Sequence, residues 1–167
     1  MLVGTHALLP VCGCLVADQI AMAAGRDRSF SGKSLCMVAF FGILPDVCSP
    51  HIMLEDRHVS LAHSVWFMGV AIPLVAMASC FFERGSRFRI AVACWIALGL
   101  HLAADAVSGG IPWLYPKSDE VIGRYWIDLD YWMVSDAVFV LLTWWLIRRL
   151  PHLEARNIRR SQSVDLS

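Results

Sequence analysis

Apolar residues in this chain fall into five long runs separated by short polar segments, and the runs are too continuous for the one-sided pattern of soluble helices. They cover Leu2–Ala24, Ser34–Ser49, Leu61–Phe82, Phe88–Val107 and Tyr131–Leu150. A hydrocarbon core about 30 Å thick is spanned by roughly 20 apolar residues in a helix. The pattern therefore predicts an all-α polytopic membrane protein with about five transmembrane helices. The second run is short, so it is expected to tilt or to let its Leu44-Pro45-Asp46 end reach water. Pro10 and Pro73 fall inside the first and third runs and predict kinks there. Residues 1–150 read as a single helical membrane domain, and residues 151–167 as a polar cytoplasmic tail.

Composition supports this reading. Hydrophobic residues make up 57% of the chain and the mean hydropathy is +0.58, above the roughly 45–50% apolar content of soluble domains. The expected surroundings are a lipid bilayer, and Trp113, Trp126 and Trp132 fall where helices would meet headgroups. A net charge of zero gives no reason to expect a nucleic-acid partner. None of the six cysteines forms a CxxC pair, and five lie in apolar runs where thiols act as small hydrophobes. Only Cys48, close to Asp46, is placed for chemistry. The first residues lack a basic region, so no cleavable signal is expected.

Basic residues set the orientation. Eleven of the fourteen Lys and Arg fall on one side: Arg26, Arg28 and Lys33; Arg84, Arg87 and Arg89; and Arg148, Arg149, Arg156, Arg159 and Arg160. Arg57, Lys117 and Arg124 fall on the other. Basic loops stay in the cytoplasm, which puts the N-terminus outside and the C-terminus inside.

On that topology five of the six histidines converge with two aspartates at the outer helix ends. The residues are His6, Asp46, His51, His58, His63, His101 and Asp105. Imidazole and carboxylate suit zinc, manganese or iron, so the gathering predicts a divalent-metal site, zinc before manganese. His101 and Asp105 share one helical face at i, i+4. His58 and His63 are five apart, which would splay them by about 140° on a continuous helix. They can act together if Ser60 caps the third helix, leaving His58 on the loop and His63 in the first turn. His51 is the weakest candidate. Asp46 and Asp105 are the candidate general bases, and Arg57, Lys117 and Arg124 the outward cations available to an anionic substrate. The loop Ser108–Asp130 carries turns with aromatics that suit either a substrate wall or an interfacial belt. Asp18 and Asp136 lie within helices, where a pairing between the first and fifth spans or a proton path is open.

Gly4-Thr5-His6, Leu44-Pro45-Asp46, His58-x4-His63-Ser64, and His101-x3-Asp105 followed by Gly110-Ile111-Pro112-Trp113-Leu114-Tyr115-Pro116 form an ordered series over roughly residues 4–117. The series resembles the YdjM-like family, bacterial inner-membrane proteins described as metal-dependent hydrolases. That family is in turn similar to the zinc-dependent phospholipase C and P1 nuclease group, all-helical enzymes that cleave phosphoesters. The resemblance implies His6, Asp46, His58, His63, His101 and Asp105 as metal ligands. The chain departs from the family pattern at Val47-Cys48, in place of Ile-Asp, and at Val59-Ser60, in place of Arg-Gly. Ala62 also stands where the family has Thr.

The reading that follows is a membrane-bound metal-dependent hydrolase of phosphoesters, its site at the outer interface where a lipid-linked substrate would fit. The alternative is a non-enzymatic metal-binding or transport protein. That alternative would require ligands continuing through the membrane, and Asp18 and Asp136 are the only mid-span carboxylates.

Overall fold

The computed structural model describes residues 3–50, 58–124, 126–127 and 129–165. Six α-helices account for most of them: α1 Val3–Ala23, α2 Gly32–Cys48, α3 Val65–Val70, α4 Ile72–Ser79, α5 Arg84–Val107 and α6 Trp132–Asp165. No strand occurs among the described residues, and an isolated bridge joins Ile111 to Ile122. The all-α class expected from the hydrophobic runs is observed. Two helices, α1 and α5, are long and apolar enough to cross a membrane.

The prolines have different effects. Pro10 sits inside an unbroken α1. Pro73 falls in the first turn of α4, where a missing N–H leaves no intrahelical bond unmade, and the expected third span divides there into α3 and α4. Ser31 caps α2 by accepting the Ser34 N–H at 3.2 Å. Ser60 does not cap a helix through its side chain; it precedes a 3₁₀ turn, Leu61–His63, that leads into α3. Beyond Leu150, α6 continues through Pro151 to Asp165, so the polar segment extends the helix.

Helix α1 packs against α2, α5 and α6, and α5 also packs against α2 and α4. Leu15, Val38, Phe41, Ala97 and Leu98 fill the space between them and are essentially inaccessible. Large apolar side chains on the outer faces of α5 and α6, among them Val92, Ile96, Val138, Leu141 and Trp144, remain exposed. In water such a surface would drive association; in lipid it needs no cover. At the basic end of α6, Arg148 and Arg149 lie over the rings of Trp144 and Trp145 at 4.9 and 4.6 Å. Aromatic rings under snorkelling cations suit a membrane–water boundary.

Polar pairs fix the register of α1 against α6. Thr5 donates both its N–H and its hydroxyl to Asp136, Cys12 Sγ meets Thr143 Oγ1 at 3.1 Å, and Gln19 donates to the Leu146 carbonyl at 2.9 Å. Partner numbers rise together, so the two helices run parallel. Asp18 is fully buried, but its carboxylate accepts the Ser29 N–H at 2.7 Å, the Phe30 N–H at 3.2 Å and Arg28 Nε at 3.3 Å. It therefore shapes the turn from α1 to α2. Asp18 and Asp136 do not pair with each other, because each serves a different helix end.

Replacing Asp18 with Ala strands two backbone N–H groups and one guanidinium. The expected loss is about 1–3 kcal/mol, read as a lower melting temperature in detergent, with Asp18→Asn milder because one acceptor oxygen survives. Equal melting of both variants and wild type would contradict the assigned role.

Candidate metal centre

Four elements deliver side chains to one point. His6 comes from the second turn of α1, Asp46 from the last turn of α2, His63 from the 3₁₀ turn before α3, and His101 and Asp105 from the last turns of α5. His6, His63, His101 and Asp105 are buried, and Asp46 retains 19% of its side-chain exposure. One ligand atom from each of Asp46, His63, His101 and Asp105 lies within 4.8 Å of the others, a group that could hold a metal ion.

Within this group imidazole and carboxylate alternate around a closed ring. Asp46 Oδ1 is 3.3 Å from His63 Nε2 and 3.5 Å from His101 Nε2. Asp105 Oδ2 is 3.5 Å from His63 Nε2 and 3.3 Å from His101 Nε2. A tetrahedral shell with metal–ligand bonds of about 2.0–2.1 Å has ligand–ligand edges of about 3.3–3.4 Å. The four sides of the ring thus match edges of such a shell, and all four donors lie within 4.8 Å of one another.

The hydrogen bonds behind the ring aim its nitrogens inward. His101 Nδ1 lies 2.7 Å from the Gly42 carbonyl, which can only accept, so Nδ1 carries the hydrogen. In the neutral ring the Nε2 lone pair then faces two carboxylate oxygens, and Nε2 makes no hydrogen bond among the described residues. Lone pair against carboxylate is repulsive unless a proton or a metal cation stands between them. The Ser60 hydroxyl orients the His63 ring from behind, Oγ lying 3.2 Å from Nδ1, while His63 Nε2 meets Asp46 Oδ1 at 3.3 Å. Such outer partners fix ring orientation in metal sites.

Gly42 also sets how closely α1 and α2 approach. A Cβ there would collide with the His6 carbonyl oxygen and press on Pro10 Cγ. The absence of a side chain lets α2 lie against α1 beside His6 while its own carbonyl orients His101. Just beyond α5, the Asp105 carbonyl accepts the Ser108 and Gly110 N–H groups at 3.1 Å. The following loop folds back through reciprocal Ile111–Ile122 bonds, and Val65 N–H donates to the Trp113 carbonyl at 2.9 Å. The segment from 108 to 124 thereby ties the end of α5 to the turn carrying His63.

The other sequence candidates occupy different places. His6 Nε2 is 3.3 Å from Asp105 Oδ1, the oxygen outside the ring, and its imidazole lies over His101 with centroids 4.0 Å apart. His58 is half-buried in a short 3₁₀ turn, with Nε2 shielded and lacking a hydrogen-bond partner among the described residues; it is not one of the four. Cys48 is exposed and also lies outside the group. Lys117 and Arg124 are exposed on the loop. His51 and Arg57 lie outside the described residues. Gly42 and Ser60 are the functional positions that sequence reasoning did not assign. A carbonyl and a hydroxyl acting behind a ligand leave no spacing signature.

The fold and the site define a helical membrane protein with a buried His/Asp group able to hold a metal ion. The model of the YdjM inner membrane protein family matches residues 1–164, and the chain belongs to that family. No curated protein and no solved structure matches it significantly.

Purified protein should carry a transition metal by elemental mass spectrometry, and the double variant His101→Ala, Asp105→Ala should lose it. Ser60→Ala should weaken metal affinity by about 10-fold, as expected for an outer-shell partner. Metal content unchanged in the double variant would dismiss the group as a binding site.

Proposed function

We propose that this protein is a membrane-bound metal-dependent hydrolase of phosphoesters, with zinc as its metal. The observation carrying this reading is the closed ring of two imidazoles and two carboxylates, whose four adjacent donor distances of 3.3–3.5 Å suit ligands of one small ion. Phosphoesters as the substrate class rest on the resemblance to the zinc-dependent phospholipase C and P1 nuclease group. A bound metal ion of this kind lowers the pKa of its water and polarises a phosphoryl oxygen.

The chain's own groups divide the remaining work. Asp105 engages both its oxygens, Oδ1 toward His6 and Oδ2 in the ring, and is a holding group. His6 is a positioning residue that fixes the Asp105 carboxylate from behind. Asp46 has only Oδ1 in the ring and is the one member with appreciable exposure. Asp46 Oδ2 is therefore the atom assigned to take a proton from the attacking water. His63 and His101 hold the centre, their rings oriented by Ser60 and Gly42.

The proposed topology has five spans, with α3 and α4 together as the third, the N-terminus outside and the site facing the periplasm. Eleven of fourteen Lys and Arg at the opposite helix ends support it, as does the parallel course of α1 and α6. A site at that depth would meet lipid-linked phosphoesters at their headgroups. A transport role finds no support in Asp18 and Asp136, both engaged in holding helix ends together.

The zinc-loaded protein should hydrolyse a chromogenic phosphodiester or phosphatidic acid in mixed micelles. Asp46→Asn should lower turnover by about 10²-fold while keeping metal through its remaining amide oxygen. Metal-replete wild type without turnover would defeat the hydrolase reading; full activity in Asp46→Asn would defeat the role of Asp46.

A further inference from the structure

A groove of about 490 Å³ lies between α1 and α5, on the side of the bundle that runs from the basic end toward the metal centre. Its α1 wall includes Pro10, Gly13 and Ala17, and its α5 wall Val92 and Ile96. Among the described residues Arg89 is the only charged one lining it, and it stands at the basic end. From Arg89 to Leu100 the α5 wall rises eleven residue steps, about 16 Å at 1.5 Å per residue. That is close to one leaflet's share of a hydrocarbon core about 30 Å thick. Gly13 opens onto this space: a Cβ built there meets nothing within 4 Å. Arg89 Nη1 donates to the Ser29 carbonyl at 3.2 Å, which holds the guanidinium at the groove's mouth. That is its one hydrogen bond among the described residues, and Arg89 is otherwise exposed, with four further N–H donors on its guanidinium. The nearby Arg28 is already taken by Asp18.

We propose that this groove binds an anionic phospholipid from the leaflet at the basic end, its phosphate on Arg89 and one acyl chain lying between α1 and α5. An apolar trough of one-leaflet length with a cation at its headgroup end is complementary to such a molecule along its whole length. A guanidinium makes charge-assisted hydrogen bonds to a lipid phosphate, and a headgroup with no ammonium of its own spares it the repulsion that choline would bring. A second copy of the chain laid on this face would bury Arg89 against apolar helix, at a desolvation penalty that only a matching carboxylate could offset. The proposal requires only that the chain lies in a membrane and does not depend on the hydrolase reading.

The test is native mass spectrometry of protein released from bilayers of equal phosphatidylglycerol and phosphatidylcholine, with a melting curve for each variant. Wild type should retain one phosphatidylglycerol in preference to phosphatidylcholine. Arg89→Gln should abolish that preference. Gly13→Leu should fill the groove and reduce bound lipid several-fold at an unchanged melting temperature. Equal retention of the two lipids by wild type, or an unchanged preference in Arg89→Gln, would overturn the proposal. Loss of a dimer rather than of lipid in Gly13→Leu would instead assign the groove to a second copy. If Gly13→Leu melts early, the lipid ratio in Arg89→Gln decides alone.

Discussion

Two carboxylates, Asp105 buried and Asp46 partly so, with ligand atoms within 4.8 Å of each other, call for balancing positive charge, and much of this fold meets that requirement. Asp46 and Asp105 both face the ring nitrogens of His63 and His101. In a low-dielectric interior an uncompensated carboxylate is too costly to keep, and two are more so. His101 cannot relieve them as a neutral donor at Nε2, because its hydrogen is committed to the Gly42 carbonyl. Only imidazolium or a metal cation completes the balance. A metal cation does so while matching the four His–Asp distances around the ring.

The surrounding helices are arranged to hold that cluster without filling it. Gly42 lets α2 approach α1 at the level of His6, and its carbonyl reaches α5 in the same place. Thr5, one residue before His6, is pinned by Asp136, so the start of α1 cannot slide along α6. The turn bearing His63 is tied to the loop after α5 through Val65 and Trp113. Because hydrophobic driving force is weak between helices in lipid, these polar contacts and close small-residue crossings carry much of the specificity. Apolar side chains on the outer faces of α5 and α6 are left exposed, as a bilayer permits.

Much of this was legible before any coordinates, for identifiable reasons. Long apolar runs specify helices, and α1, α2 and α5 lie within a few residues of the expected bounds. The convergence of His6, Asp46, His63, His101 and Asp105 followed from their all lying at the same set of helix ends. Other features depend on neighbours in space. Pro73 reads as a kink in sequence, yet it starts a new helix because Ala71 ends the turn before it. The last apolar run stops at Leu150, yet α6 continues through Pro151 to Asp165. Ser60 resembles a helix cap, but His63 lies in a 3₁₀ turn and takes the hydroxyl as its own partner. The split of Asp105 between His6 on one oxygen and the ring on the other has no counterpart in spacing. Nor do the separate duties of Asp18 and Asp136, which a helical periodicity cannot distinguish from a buried pair.

The nature of the centre is tested most directly by X-ray absorption at the metal edge of protein purified with its native metal. Four nitrogen and oxygen scatterers at about 2.0–2.1 Å, with two imidazole signatures and no sulfur, are the expected shell. A sulfur scatterer near about 2.3 Å would bring Cys48 into the centre and break the ring described here. Protein isolated without metal, and unable to take any up, would leave the buried carboxylates to be balanced by protonated histidines alone, and the metal centre would be refuted.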